Sequence, residues 1–75
     1  MDREILIAFG KYIKEAREQK GMSQQELGDK LGLSQTHISY VEKGERELPF
    51  RKTLEFCKEL DLSLIYFLKN NYPVE

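Results

Sequence analysis

Only Gly32, Leu33 and Ser34 separate two helix-length stretches in the middle of this chain, and that short separation restricts the fold more than any other feature. On the N-terminal side, Ser23-Gln24-Gln25-Glu26 has the spacing of a capping box. The serine hydroxyl accepts from an orphan backbone amide while Glu26 reaches back to the start, opening a helix that runs through Leu31. On the other side, Ser34 is placed to cap a helix from Gln35 to about Lys43. Glycine enters positive φ without steric cost, so Gly32 can end the first helix and turn the chain within two residues. Leu27, Leu31, Leu33, Ile38 and Val41 supply apolar anchors, and Gly28 is small where the helices would touch. Two short helices crossing steeply through a tight turn need that combination.

The remaining segments are also helical by pattern. Only Pro49 and Pro73 interrupt the chain, and no strand-length window alternates β-branched with polar residues. A first helix is expected from about Arg3 to Lys20, with Ile5, Phe9, Ile13 and Ala16 on one face and Gly21 as its stop. Gly44 closes the third, and Glu45 to Leu48 form a polar loop. Pro49 suits the first turn of a fourth helix ending near Leu60. Ser63 caps a fifth, Leu64 to about Asn70, and the tail from Asn71 to Glu75 is expected to fray. The fold class expected is all-α, a compact five-helix domain filling residues 1–75.

Composition removes several function classes. Forty per cent hydrophobic and 33% charged residues suit a folded soluble domain rather than a disordered one. One cysteine, Cys57, forms no internal disulfide, and no Cys/His cluster has metal-ligand spacing, so a reducing, cytoplasmic setting and a core position for Cys57 are expected. The longest apolar runs fall far short of the roughly 20 residues that a membrane span needs. A net charge of -1 and a pI near 5.9 lack the usual electrostatic footprint of a nucleic-acid binder. That evidence weighs against DNA binding until something more specific outweighs it.

"IKEAREQKGMSQQELGDKLGLSQTHISYVEKGER", followed by "LEFCKELDLSLIYFL", is more specific. These stretches resemble the lambda-repressor-like, Cro-type helix-turn-helix family, also called the xenobiotic-response-element family, over roughly residues 9 to 68, with the motif itself at 24–43. The resemblance implies a partly buried ion pair between Arg17 and Glu42 that ties helix 1 to the recognition helix. It implies a DNA phosphate at Gln24, where the free N-H groups and dipole of a helix N-terminus favour an anion. It places Gln35, Thr36, His37 and Tyr40 toward base edges in the major groove, with Ser34 and Ser39 at the flank and Lys43 and Arg46 on the DNA backbone. Short chains of this family commonly pair through the last helix. Here Leu64, Phe67 and Leu68 would be core, leaving Ile65, Tyr66 and Tyr72 for a partner. Gly28 stands where the family usually has alanine, Leu48 where proline is common and Thr53 where leucine is common.

Each assignment has a plainer rival. Helix 3 taken alone is an ordinary amphipathic helix; the capped partner, the Gly32 turn and the anchors are what lift it above that. His37 as a metal ligand or catalytic base lacks a second ligand or a triad pattern. A base-edge or phosphate contact suits it better. A downward Gln35 amide would pair with adenine, and the Thr36 methyl would meet a thymine methyl. Tyr40 fits a phosphate contact and a surface cover equally well. Lysines 11, 14, 20 and 52 are solvated by default, and Ile65 and Tyr66 could instead close the monomer against Ile5 and Leu6. The reading is a homodimeric, sequence-specific DNA-binding regulator, a repressor or autoregulatory controller, with double-stranded palindromic operator DNA and a second copy as partners. No catalytic residue, metal, cofactor, membrane or small-molecule ligand is indicated. The rival from another class is a protein-interaction module of the same fold with little DNA binding.

Overall fold

The computed structural model describes residues 3–72 as five helices, with no strand among them: α1 Arg3–Gln19, α2 Gln24–Leu31, α3 Gln35–Glu42, α4 Phe50–Glu59 and α5 Leu64–Asn71. α1 packs against α3 and α5, while α2 lies on α3 and α4. The buried core takes Ile5, Phe9, Ile13 and Ala16 from α1, Leu27 and Leu31 from α2, Ile38 and Val41 from α3, Phe56 and Cys57 from α4, and Phe67 from α5. Burial in apolar surroundings pushes the Cys57 thiol above its ordinary pKa, as expected for a packing residue rather than a nucleophile.

Capping sets most of the boundaries. Ser23 accepts from the Glu26 amide at 3.0 Å and Glu26 accepts from the Ser23 amide at 2.9 Å, completing the box at α2. Ser34 and Ser63 each accept from the amide three residues on, opening α3 and α5. Gly32 ends α2 in the left-handed region at φ 69°, and the Leu33 amide donates to the Gly28 carbonyl at 2.8 Å. At Gly28 a Cβ would overlap the Leu33 carbonyl oxygen, so glycine there is a requirement of the turn and not just a weaker helix former. Gly10 plays the same part between α1 and α3: a Cβ would overlap the Val41 carbonyl oxygen and lie 2.7 Å from that of Glu42.

Several expectations need correction. Pro49 caps α4 from outside, because its φ of -57° is paired with an extended ψ of 148°. Leu48, expected in a polar loop, is buried in the core. Asn71, expected to fray, is the last residue of α5, and its Nδ2 donates to the Phe67 carbonyl at 2.9 Å. The Tyr72 amide donates to the Leu68 carbonyl at 2.8 Å, and residues 73–75 of the expected tail lie outside the described residues. On α5 only Phe67 is fully buried. Leu64 is half-buried and Leu68 is 40% exposed, because α5 meets α1 along one narrow edge where Phe67 packs edge-on against Phe9 and stacks on Tyr12. α1, α3 and α4 also stop about one residue short of the expected ends, since Lys20, Lys43 and Leu60 close their last turns.

Candidate nucleic-acid interface

α3 presents Gln35, Thr36 and Tyr40 as exposed residues while Ile38 and Val41 anchor its opposite side in the core. His37 and Ser39 are half-buried at the edges, and the His37 amide is the donor to the Ser34 cap. Ser34, Lys43 and Arg46 are exposed at the two ends of the helix. Gly44, at φ 72°, packs its backbone against Ile7 and turns the chain away, and the Glu45 amide donates to the Tyr40 carbonyl at 2.9 Å. This turn carries Arg46 back over the Tyr40 ring, with the guanidinium carbon 5.3 Å from the centroid. The polar face therefore runs from the α3 N-terminus to a cation fixed beside its C-terminal end.

Beneath that face lies a continuous polar chain. Arg17 grips both oxygens of Glu42, donating from Nε to Oε2 at 2.6 Å and from Nη2 to Oε1 at 3.1 Å; its Nη1 donates to the Met22 carbonyl at 2.8 Å. The side chains are 10% and 2% exposed. The Glu42 hydrogen bond, ahead of the opposing effect of burial, raises the Arg17 pKa above its ordinary value, so the guanidinium stays charged. Gln24 Nε2 donates to Glu42 Oε1 at 2.9 Å, and Gln35 Nε2 donates to Gln24 Oε1 at 2.6 Å. In this structure the Gln24 side chain thus joins the ion pair to the exposed amide of α3. Pattern reasoning missed this connection, although a signal was present: Ser23-Gln24 and Ser34-Gln35 repeat the same cap-and-glutamine step at the start of adjoining helices.

The remaining cations are differently placed. Lys52 donates to the Leu31 carbonyl at 2.9 Å and to Glu55 at 3.1 Å, closing the C-terminal end of α2. Lys20 pairs with Asp61 at 2.9 Å, and Arg51 is exposed on α4. Away from α3, Ile65, Tyr66 and Tyr72 are exposed on or just after α5, with Leu68 beside them. Ile65 and Tyr66, at 68% and 61% exposure, do not close the monomer against Ile5 and Leu6, although the Tyr66 ring stacks on Tyr12 at 6.4 Å. A shallow apolar groove of about 320 Å³ continues this surface past Leu64 and Leu68 to Phe50 and Leu48. No helix among the described residues is long and apolar enough to cross a membrane, and those residues hold no cluster of three or more His, Cys, Asp or Glu suited to a metal.

Known proteins resemble this chain in sequence or in fold. The uncharacterized HTH-type transcriptional regulator YqaE of Bacillus subtilis (strain 168) is 36% identical over 61 residues, covering 81% of this chain and 53% of that protein. The ImmF control region 10 kDa protein of Bacillus phage phi105 is 44% identical over 60 residues, covering 76% and 66% respectively. The chain therefore spans about half to two thirds of the length of these two relatives. Among solved structures, the restriction-modification controller protein C.AhdI from Aeromonas hydrophila matches with a TM-score of 0.76 at 29% identity, covering 87% of this chain and 94% of that one. The C.Esp1396I controller tetramer in complex with its natural 35 base-pair operator matches with a TM-score of 0.73 at 32% identity, covering 88% and 87%. A family model described as "Helix-turn-helix" matches residues 13–67, and the chain belongs to that family.

Proposed function

We propose that this protein is a sequence-specific, DNA-binding regulator of transcription that acts as a homodimer in the cytoplasm and is not an enzyme. The observation that carries the reading is the α3 surface: an exposed polar row of Gln35, Thr36 and Tyr40 on a helix anchored by Ile38 and Val41. In the major groove Gln35 and Thr36 meet base edges, with His37 and Tyr40 completing the row. Ser34, Ser39, Lys43, Arg46 and the N-terminus of α2 at Gln24 border the phosphates. Two relatives support the reading by name, one an HTH-type transcriptional regulator and the other a controller protein bound to its operator.

One short helix reads only a few base pairs, so a two-fold pair of recognition helices about 34 Å apart provides the specificity of a palindromic site. The exposed Ile65, Tyr66 and Tyr72 supply the surface for that pairing. Fluorescence anisotropy against the duplex upstream of the protein's own gene tests the assignment, with random duplex and the Gln35→Ala/Thr36→Ala variant as controls. The expected result is a salt-sensitive preference for the upstream duplex that the double variant loses. Equal, weak binding to both duplexes by the wild type would favour the rival protein-interaction module instead.

A further inference from the structure

We propose that the cleft between α1, α4 and α5 binds a small neutral aromatic molecule carrying one hydroxyl, the class of phenol. Its floor is Ile5 and Phe9 of α1, Thr53 of α4 and Phe67 of α5, all buried, while the more exposed Leu64, Leu68 and Tyr72 form its mouth. The space is about 100 Å³ and meets the 320 Å³ groove along Thr53, Leu64 and Leu68, which line both. An apolar cavity of about 150 Å³ lined by such side chains stays dry and takes benzene. One ring therefore fits at the junction, its inner edge in the cleft and its outer edge in the groove. α5 leaves this space open because its hold on α1 is Phe67 against Phe9 and Tyr12, and the short Thr53 side chain does not fill what remains.

The lining sets the chemistry of the guest. Among the described residues no charged side chain borders the cleft, so a charged guest would lose its hydration with nothing to replace it. Glu47 lines the outer groove, which further disfavours an anion. The rings of Phe9 and Phe67 meet edge-on at 5.1 Å and favour a third ring beside them. Thr53 supplies the buried hydroxyl. It donates to the Pro49 carbonyl at 3.4 Å, and no described residue donates to it in return, so Oγ1 keeps a lone pair for the guest. A guest with its own O-H satisfies that atom, and one without a donor does not. The sequence alone indicates no such ligand, because the lining comes from three helices and Thr53 is there only a departure from the common leucine. No residue of α3 lines the cleft, so the inference does not depend on the DNA-reading role.

The test is an NMR titration of the full chain with phenol, toluene and benzoate, followed by intermolecular NOEs that locate the ring. Phenol is expected to saturate with a Kd of roughly 1 mM or below and to show NOEs to Phe9, Leu64 and Phe67, while benzoate, the same ring with a charge, does not bind. Thr53→Val keeps the shape of the side chain and removes the acceptor. The ratio of phenol to toluene affinity should then fall roughly three- to tenfold, a change that the hydrophobicity of the ring alone does not produce. Thr53→Leu fills the junction and should abolish saturable binding of both rings, with circular dichroism checking that the helices are kept. Should the leucine variant fail to fold, the valine variant decides. A phenol Kd far above the millimolar range would overturn the inference. So would NOEs to a different surface, benzoate binding as tight as that of phenol, an unchanged ratio in folded Thr53→Val, or undiminished binding in folded Thr53→Leu.

Discussion

Arg17 and Glu42 show how much a single contact can decide in so small a core. Both side chains are almost fully withdrawn from water, and the carboxylate receives three donated hydrogen bonds, two from Arg17 and one from Gln24. Removing the arginine leaves a buried charge without its partner, which typically costs about 3 to 5 kcal/mol. Arg17→Ala should therefore lower the melting temperature by on the order of 10 °C or more, read by circular dichroism. A shift of only a degree or two would mean that water reaches Glu42 readily. Gly10 makes a sharper case, because helix propensity and packing point in opposite directions. Alanine is the better helix former by about 1 kcal/mol, yet its methyl would strike the Val41 and Glu42 carbonyls. Backbone cannot yield as a flexible side chain does, and overpacking of this kind costs about 1 to 3 kcal/mol. Gly10→Ala is expected to destabilise, and an unchanged or raised melting temperature would show that α1 and α3 can part without penalty.

At the level of elements, α2, α3 and α5 have eight residues each and would not persist alone. Caps and packing hold them. Ser34→Ala removes the acceptor for the His37 amide, a loss of about 1 kcal/mol, and should lower the melting temperature by roughly 4 to 8 °C. The α2 cap also has a pH dependence. The Ser23 amide and hydroxyl hold the Glu26 carboxyl below its ordinary pKa. A depressed folded value means that the stabilisation is complete above the ordinary carboxylate range and is lost as pH falls through the depressed value. Melting curves between neutral and strongly acid pH should fall more steeply for the wild type than for Glu26→Gln, whose amide still accepts from Ser23 but does not titrate. Parallel curves would mean that the box contributes nothing that depends on charge.

For the whole molecule, the proposed function raises the question of how a chain with net charge -1 would hold DNA. On the proposed reading, the attraction would come chiefly from Lys43 and Arg46 beside α3, and Arg46 is already set on the Tyr40 ring. With about three to six phosphate contacts per subunit, the dependence of affinity on salt should be modest for one subunit and about twice as steep for a pair. The proposed pairing would also cover the exposed apolar surface of α5, which the narrow α1 edge leaves open. Ile65→Glu/Tyr66→Glu should sediment as a monomer and bind its site weakly with an intact fold. A dimer that survives both glutamates would have to pair through a different surface.

Much of this was readable along the chain because it depends on local rules. The serine caps, the Gly32 stop, the α1 face of Ile5, Phe9, Ile13 and Ala16, and the exposed row of α3 follow from spacing and backbone sterics within a few residues. Leu48 was misplaced because its burial depends on where α4 and α5 fold back, and the helix rather than the tail claimed Asn71 through a bond to its own Phe67 carbonyl. Gly28 was legible as a small residue at a close approach, but only the fold shows that the Leu33 carbonyl is what fills the space of its missing methyl. The sequence by itself thus determined the five helices, the serine-capped starts of three of them and the face that α3 offers. Only the tertiary structure decided that Arg17, Glu42, Gln24 and Gln35 join in one chain of hydrogen bonds, because these residues lie far apart along the backbone and meet only where the fold brings them together.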